Sequence, residues 1–165
     1  MPEIRRAAKS DATQIAEIIS ELLREPSPVA FERARTPAEI EEWIERQGES
    51  GAFFVAEDDR KRVLGFATVD FNSAEPDAAT FGAWIRQQHR RQGHGTALAE
   101  YCLAFARSKG YSRIKARLPR DNEPALSYLS SIGALVPLFN PGTTFELPIY
   151  QEGDQAEGDE DGGGQ

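Results

Sequence analysis

The segment Arg90-Arg91-Gln92-Gly93-His94-Gly95-Thr96 holds the residue types that an anion site needs. Glycine lets a backbone approach a ligand closely and adopt positive φ. A helix beginning near Gly93 would expose first-turn N–H groups that have no partner inside the helix. Those groups, with the positive end of the helix dipole, attract phosphate. Arg90 and Arg91 add charge at the rim. Two familiar phosphate loops do not fit. The dinucleotide fingerprint needs a third glycine where Leu98 stands, and the P-loop needs a Gly-Lys-Ser/Thr run that this segment lacks.

The elements around this segment must bring it to a strand end. Ile4 and Arg6 fit a short opening strand. Ser10-Asp11 predicts a helix cap, and Ile15, Ile18, Ile19, Leu22 and Leu23 follow at the spacing of one buried helical face. Glu25-Pro26-Ser27-Pro28 stops that helix. Thr36-Pro37-Ala38-Glu39 is a capping box with proline at the first helical position, and Ile40, Trp43 and Ile44 point inward after it. Gly48 to Gly51 ends that helix. Strands are predicted at Ala52–Glu57, Val63–Phe71 and Ala78–Arg86. Their short polar turns make them antiparallel neighbours. The loop Gln87–Gln92 leads to a helix over about Gly93–Lys109, with Leu98, Cys102, Phe105 and Ala106 inward and Gly110 closing it. A strand at Tyr111–Leu118 then implies a parallel crossover. A helix from Asn122 to Ile132 and strands near Ala134–Phe139 and Thr143–Tyr150 complete the pattern, with Pro148 favouring a sheet edge. The expected fold is α/β, a single domain over residues 1–150 with a mixed, mostly antiparallel sheet flanked by helices.

The stretch from Ile85 to Leu98 resembles the acetyl-CoA motif of the GNAT family of N-acetyltransferases. Its hallmark, Gln/Arg-x-x-Gly-x-Gly/Ala, is met by Arg90, Gly93 and Gly95. Asn122-x-x-Ala125 followed by Gly133 resembles a second family segment, and the element order matches over about residues 3–150. The resemblance implies a strand that splays from its neighbour ahead of the loop and pairs with the pantetheine arm like an added strand. Trp84, Ile85 and Arg86 would then lie beside the cofactor. A backbone N–H there would polarise the thioester carbonyl. The loop Arg90, Arg91, Gln92, Gly93, His94, Gly95 and Thr96 would hold the diphosphate, and Asn122 the arm. On sequence alone, Asn122 reads equally well as a plain helix cap.

The residues for proton transfer are less marked. Leu129 stands where many family members carry a tyrosine acid. Tyr128 is adjacent, about 100° around a helix, and is the candidate acid. An amine protonated at neutral pH needs a base. The strand Ala78–Trp84 holds no carboxylate, so Asp70 ranks first and Glu57 second, both also readable as solvated strand-end acids. Glu75 and Asp77 lie just ahead of the strand. His94 sits between the glycines, where a backbone role dominates, and His89 reads as a surface loop residue. One cysteine and two histidines argue against a zinc site. Ser127, Ser130 and Ser131 have no histidine nearby, which weakens a serine-nucleophile reading.

Composition narrows the partners. The 165 residues carry a net charge of −8. Six acids lie between Glu152 and Asp161, in a Gly/Asp/Glu/Gln stretch (residues 151–165) expected to be a disordered tail. The rest is nearly neutral, which excludes general nucleic-acid binding. No apolar run is long enough to span a membrane. Cys102 has no partner for a disulfide, and a reducing cytoplasm is the simplest location. The leading expectation is acetyl transfer from acetyl-CoA, without a metal, to a primary amine of a small molecule. The run Pro28-Val29-Ala30-Phe31-Glu32 ahead of Thr36-Pro37 is similar to GNAT members that act on amino-acid-like acceptors. Acetylation of a protein amine and a non-catalytic CoA-binding module are the alternatives. A homodimer is left open.

Overall fold

The computed structural model describes residues 2–25, 33–117 and 144–148, with the strand residues 116–117 and 144–148 described in backbone only. Strands β1 (Glu3–Arg6), β2 (Ala52–Glu57), β3 (Val63–Phe71), β4 (Ala78–Ile85), β5 (Arg113–Arg117) and β6 (Thr144–Pro148) lie in that spatial order in one sheet. Neighbours run antiparallel except β4 and β5, which are parallel. Helices α1 (Ala12–Leu23) and α2 (Pro37–Gln47) cover one face, and α3 (His94–Ser108) covers the other while carrying the crossover from β4 to β5. The expected α/β, mostly antiparallel architecture is the observed one.

The strand alternation builds two cores. Phe53, Val55, Val63 and Phe66 face α1 and α2, where Ile15, Ile18, Ile19 and Ile40 are fully buried. Each such isoleucine contributes about 1.5–3 kcal/mol relative to an exposed one. Phe54, Ala67, Val69 and Phe81 face α3, against Leu98, Ala99, Cys102 and Ala106. Because both faces of β2 and β3 are covered, their residues are buried almost without interruption. No helix among the described residues is long and apolar enough to cross a membrane.

Local chemistry sets the helix ends. Thr36 accepts from the Glu39 N–H and Glu39 accepts from the Thr36 N–H, the reciprocal capping box. Asp11 does not cap α1 directly. A single 3-10 turn, Lys9–Asp11, intervenes, and the Asp11 carboxylate accepts the Ala8 N–H instead. Asp11 also pairs with Arg5, whose other nitrogen reaches Glu57. Glu57 is therefore no solvated strand-end acid. It is 4 % exposed and held between Arg5 and Lys61, and these partners keep its carboxyl below the usual range. Beyond the described residues lie the expected helix from Asn122 to Ile132, with Asn122, Tyr128 and Leu129, the strand near Ala134–Phe139, and the segment 151–165.

Candidate active site

Strand parity decides what β4 offers. The Arg86 N–H donates to the Leu64 carbonyl at 2.8 Å, continuing the ladder in which Gly65 faces Ile85 and Phe66 faces Trp84. Backbone groups alternate sides along an antiparallel strand. Trp84 and Arg86 thus direct their N–H groups toward β3, whereas Ala83 and Ile85 direct theirs toward β5. The pairing of β4 with β5 runs only from Ala78–Arg113 to Phe81–Ala116. From Gly82 onward β4 has no strand on that side among the described residues. This leaves a gap edged by the N–H groups of Ala83 and Ile85. It is the splay that the family resemblance implies, now located on two residues.

The chain turns sharply past this edge. A 3-10 turn spans Gln87–His89, Arg91 adopts φ 63°, and Gly93 caps α3 at φ 87°. No side chain caps this helix start, and its first intrahelical bond runs from the Ala97 N–H to the Gly93 carbonyl. The N–H groups of His94, Gly95 and Thr96 lack intrahelical acceptors by construction. Gly95 packs where an added Cβ would lie 4.0 Å from Ile85. The helix start therefore stands over the open end of β4. The uncapped helix start and the open edge of β4 are thus contiguous among the described residues.

The basic cluster of the sequence does not form one surface. Arg86, grouped beside the cofactor by sequence, is 3 % exposed and turned onto the opposite face. It donates to the Val63 carbonyl at 2.7 Å, to Glu21 at 2.6 Å and to Glu17 at 3.4 Å. The reason is parity, since side chains of β4 alternate and Arg86 shares its face with Trp84. Arg90 donates to the Ile85 carbonyl at 3.1 Å and forms a fork with Glu25, at 2.5 and 2.6 Å. Among the described residues, Arg91 is the loop arginine whose guanidinium has no partner. His94 is 6 % exposed, its Nε2 lies 3.0 Å from Gln92 Oε1, and burial lowers its pKa. Burial of Arg86 gives a stability prediction. In Arg86→Met, the Val63 carbonyl loses its donor, while the half-exposed Glu17 and Glu21 rehydrate. A loss of about 2 kcal/mol, or roughly 4–8 °C in melting temperature, is expected. Calorimetry would show it.

On the α1/α2 face, α2 and Trp84 bound a cleft of about 830 Å³, lined in part by Arg35, Glu39, Glu42, Trp43, Arg46 and Trp84. Trp84 folds back over its own strand because Gly82 has no Cβ. A Cβ there would fall within the indole. Trp43 meets Phe53 and Phe66 edge-on and donates to Asp70 at 3.0 Å. Asp70 also accepts from Gln47 at 2.7 Å and from Thr68 at 3.2 Å. Glu39 is engaged by Arg33 and Arg35, and Glu45 by Lys9. Glu42 and Arg46 have no ionic partner among the described residues. No group of three or more His, Cys, Asp or Glu among them is placed to hold a metal.

The sequence singles out neither Ala83, whose N–H edges the gap, nor Glu25, which holds Arg90. A parity count back from Arg86 would have found the first once its face was known. No local pattern marks the second, which reads as a helix end.

Comparison with known proteins agrees with this geometry. No curated protein matches the sequence. A phosphinothricin acetyltransferase from Sinorhizobium meliloti, solved in complex with acetyl-CoA, superposes with a TM-score of 0.77 at 18% identity, over 90% of this chain and 88% of that one. An N-acetyltransferase from Staphylococcus aureus gives 0.74 at 23% identity, over 91% and 99%. A ribosomal-protein-alanine N-acetyltransferase from Brucella melitensis gives 0.75 at 15% identity, over 89% and 99%. Structures this distant in sequence establish the shared fold. The family model described as acetyltransferase (GNAT) family matches residues 16–134, well over half of the chain. This chain belongs to the GNAT acetyltransferase family.

Proposed function

We propose that the chain transfers the acetyl group of acetyl-CoA to a primary amine of a small molecule. The observation that carries this reading is the continuity between the uncapped start of α3 and the unpaired edge of β4. The first-turn N–H groups and Arg91 receive the diphosphate. The arm then runs along the gap, meeting Ile85 first and Ala83 deeper, because the loop follows β4 at the Ile85 end. The Ala83 N–H is the donor to the thioester carbonyl, stabilising the oxyanion as the amine attacks and the thiolate leaves.

The acceptor occupies the cleft beside Trp84, on the face of the sheet opposite α3. A concave site of this volume with two indole walls suits a small molecule better than a flat protein surface. Glu42 is the carboxylate available there to attract an ammonium group. Asp70 is not the base on this reading. It lies opposite Thr80, three residues or roughly 10 Å along the strand from Ala83, and its carboxylate already accepts from three donors. It orients Trp43 instead. Tyr128 and Asn122 keep their proposed roles as acid and arm contact, both outside the described residues.

The test is thiol release from acetyl-CoA in the presence of a panel of small amines and amino acids, with a lysine peptide and an N-terminal peptide as comparison arms. Turnover on small amines is expected. Turnover on the peptides alone would transfer the reading to a protein amine. CoA binding without turnover on any arm would remove the enzyme. A melting temperature raised by ATP or NAD but not by CoA would remove the donor site.

A further inference from the structure

The motif arginine, Arg90, is turned away from the anion site it borders. Its terminal nitrogens clasp both oxygens of Glu25, and its Nε holds the Ile85 carbonyl. The Glu25 side chain is 12 % exposed and that of Arg90 40 %. Glu25 lies just past the end of α1, its N–H still bonded to the Leu22 carbonyl. The clasp thus joins the end of α1, on the face of the sheet opposite α3, to the loop that leads into α3. A two-pronged guanidinium–carboxylate pair fixes orientation as well as distance. It also occupies the Ile85 carbonyl, which faces the gap with the Ile85 N–H. That leaves the N–H groups as the donors on this stretch of edge.

We propose that Glu25 is a positioning residue for the donor site: through Arg90 it fixes the Ile85 peptide and the turn into α3, tying the end of α1 to the donor loop. Arg90 is a strut in this arrangement, and the charge facing the diphosphate is that of Arg91. The inference rests on the CoA reading above.

The opposite view, Arg90 as a direct diphosphate ligand, predicts effects of different sign. The experiment is calorimetric titration of CoA into the wild-type protein and into Glu25→Gln, Arg90→Gln, Arg90→Lys and the Glu25→Gln/Arg90→Gln double variant. Melting temperatures and the KM and kcat for acetyl-CoA would be recorded beside each. A strut predicts that Glu25→Gln and Arg90→Gln each weaken CoA by about tenfold, in the ordinary range for coupled sites. The double variant should be no worse than either single one. Arg90→Lys, which keeps the charge and loses the fork, should behave like Arg90→Gln. KM should rise with kcat nearly unchanged, at melting temperatures within about 2 °C of wild type. Unchanged or tighter CoA binding in Glu25→Gln, with binding retained in Arg90→Lys, would overturn the strut and make Arg90 a ligand. Weakening that follows the loss of melting temperature would reduce the clasp to a general stability contact. Absence of CoA binding in the wild type would instead overturn the donor reading, and this inference with it.

Discussion

Gly93→Asp is expected to weaken CoA binding by at least about 100-fold and to leave the protein folded. The aspartate would stand beside the first turn of α3, placing its carboxylate in the field of the N–H groups there. These are the groups proposed for the diphosphate, so the side chain competes for them directly. Its charge also repels the ligand, by about 4 kcal/mol per charge pair at 4 Å for an effective dielectric near 20. Folding feels two small effects of opposite sign. The left-handed backbone at φ 87° costs a non-glycine residue about 1–2 kcal/mol, and a negative charge at the positive end of the helix dipole returns about 0.3–1 kcal/mol. Gly93→Ala is the control. A Cβ at this position meets nothing within 4 Å, so it carries the backbone cost without charge or competition, and CoA affinity should fall only slightly. Titration of CoA into both variants reads the difference. Wild-type affinity in Gly93→Asp would move the diphosphate away from this turn.

The second large effect belongs to a residue whose side chain is a single methyl group. Ala83→Pro is expected to lower kcat by about 100- to 1000-fold, the usual consequence of losing one oxyanion donor. CoA affinity should change little. Proline removes the N–H that faces the gap and leaves the ladder to β3, which uses the N–H groups of Trp84 and Gly82 by parity. Among the described residues, no strand pairs with the other side of β4 there. Ala83→Gly, which keeps the N–H, should retain most of the activity. Full turnover in Ala83→Pro would place the carbonyl donor elsewhere on the strand.

Features encoded within a few residues were legible in the sequence. The Thr36–Glu39 box, the glycine at the start of α3 and the apolar periodicity of α1 each need only their own neighbours, and each lies where its residue types put it. Features set by distant partners were not. Arg86 reads as part of a basic loop because its acceptors, Glu17 and Glu21, stand 69 and 65 residues away. Asp70 reads as a strand-end acid because Trp43 and Gln47, which claim it, belong to a helix 27 and 23 residues earlier. The division of Trp84, Ile85 and Arg86 between the two sides of β4 depends on register. Register is fixed by pairing with β3 and cannot be counted from β4 alone. On the proposed reading, the Gly-x-Gly turn announces the donor site because the backbone itself would do the recognition. The cleft announces little, since its walls come from α2 and β4 and meet only in the fold.

The break in the sheet after Phe81 carries a consequence for the life of the protein in a cell. Edge groups that have no strand partner among the described residues would be served by the donor in the complex, and only the folded chain offers them together. A ligand present at 100 times its Kd adds about 2.7 kcal/mol to the stability of the state that binds it. Native domains hold only about 5–15 kcal/mol in all. On the proposed reading, the population of unfolded chain exposed to proteases would fall as acetyl-CoA accumulates. The abundance of the enzyme would then follow the supply of its own cosubstrate, with no regulator beyond mass action.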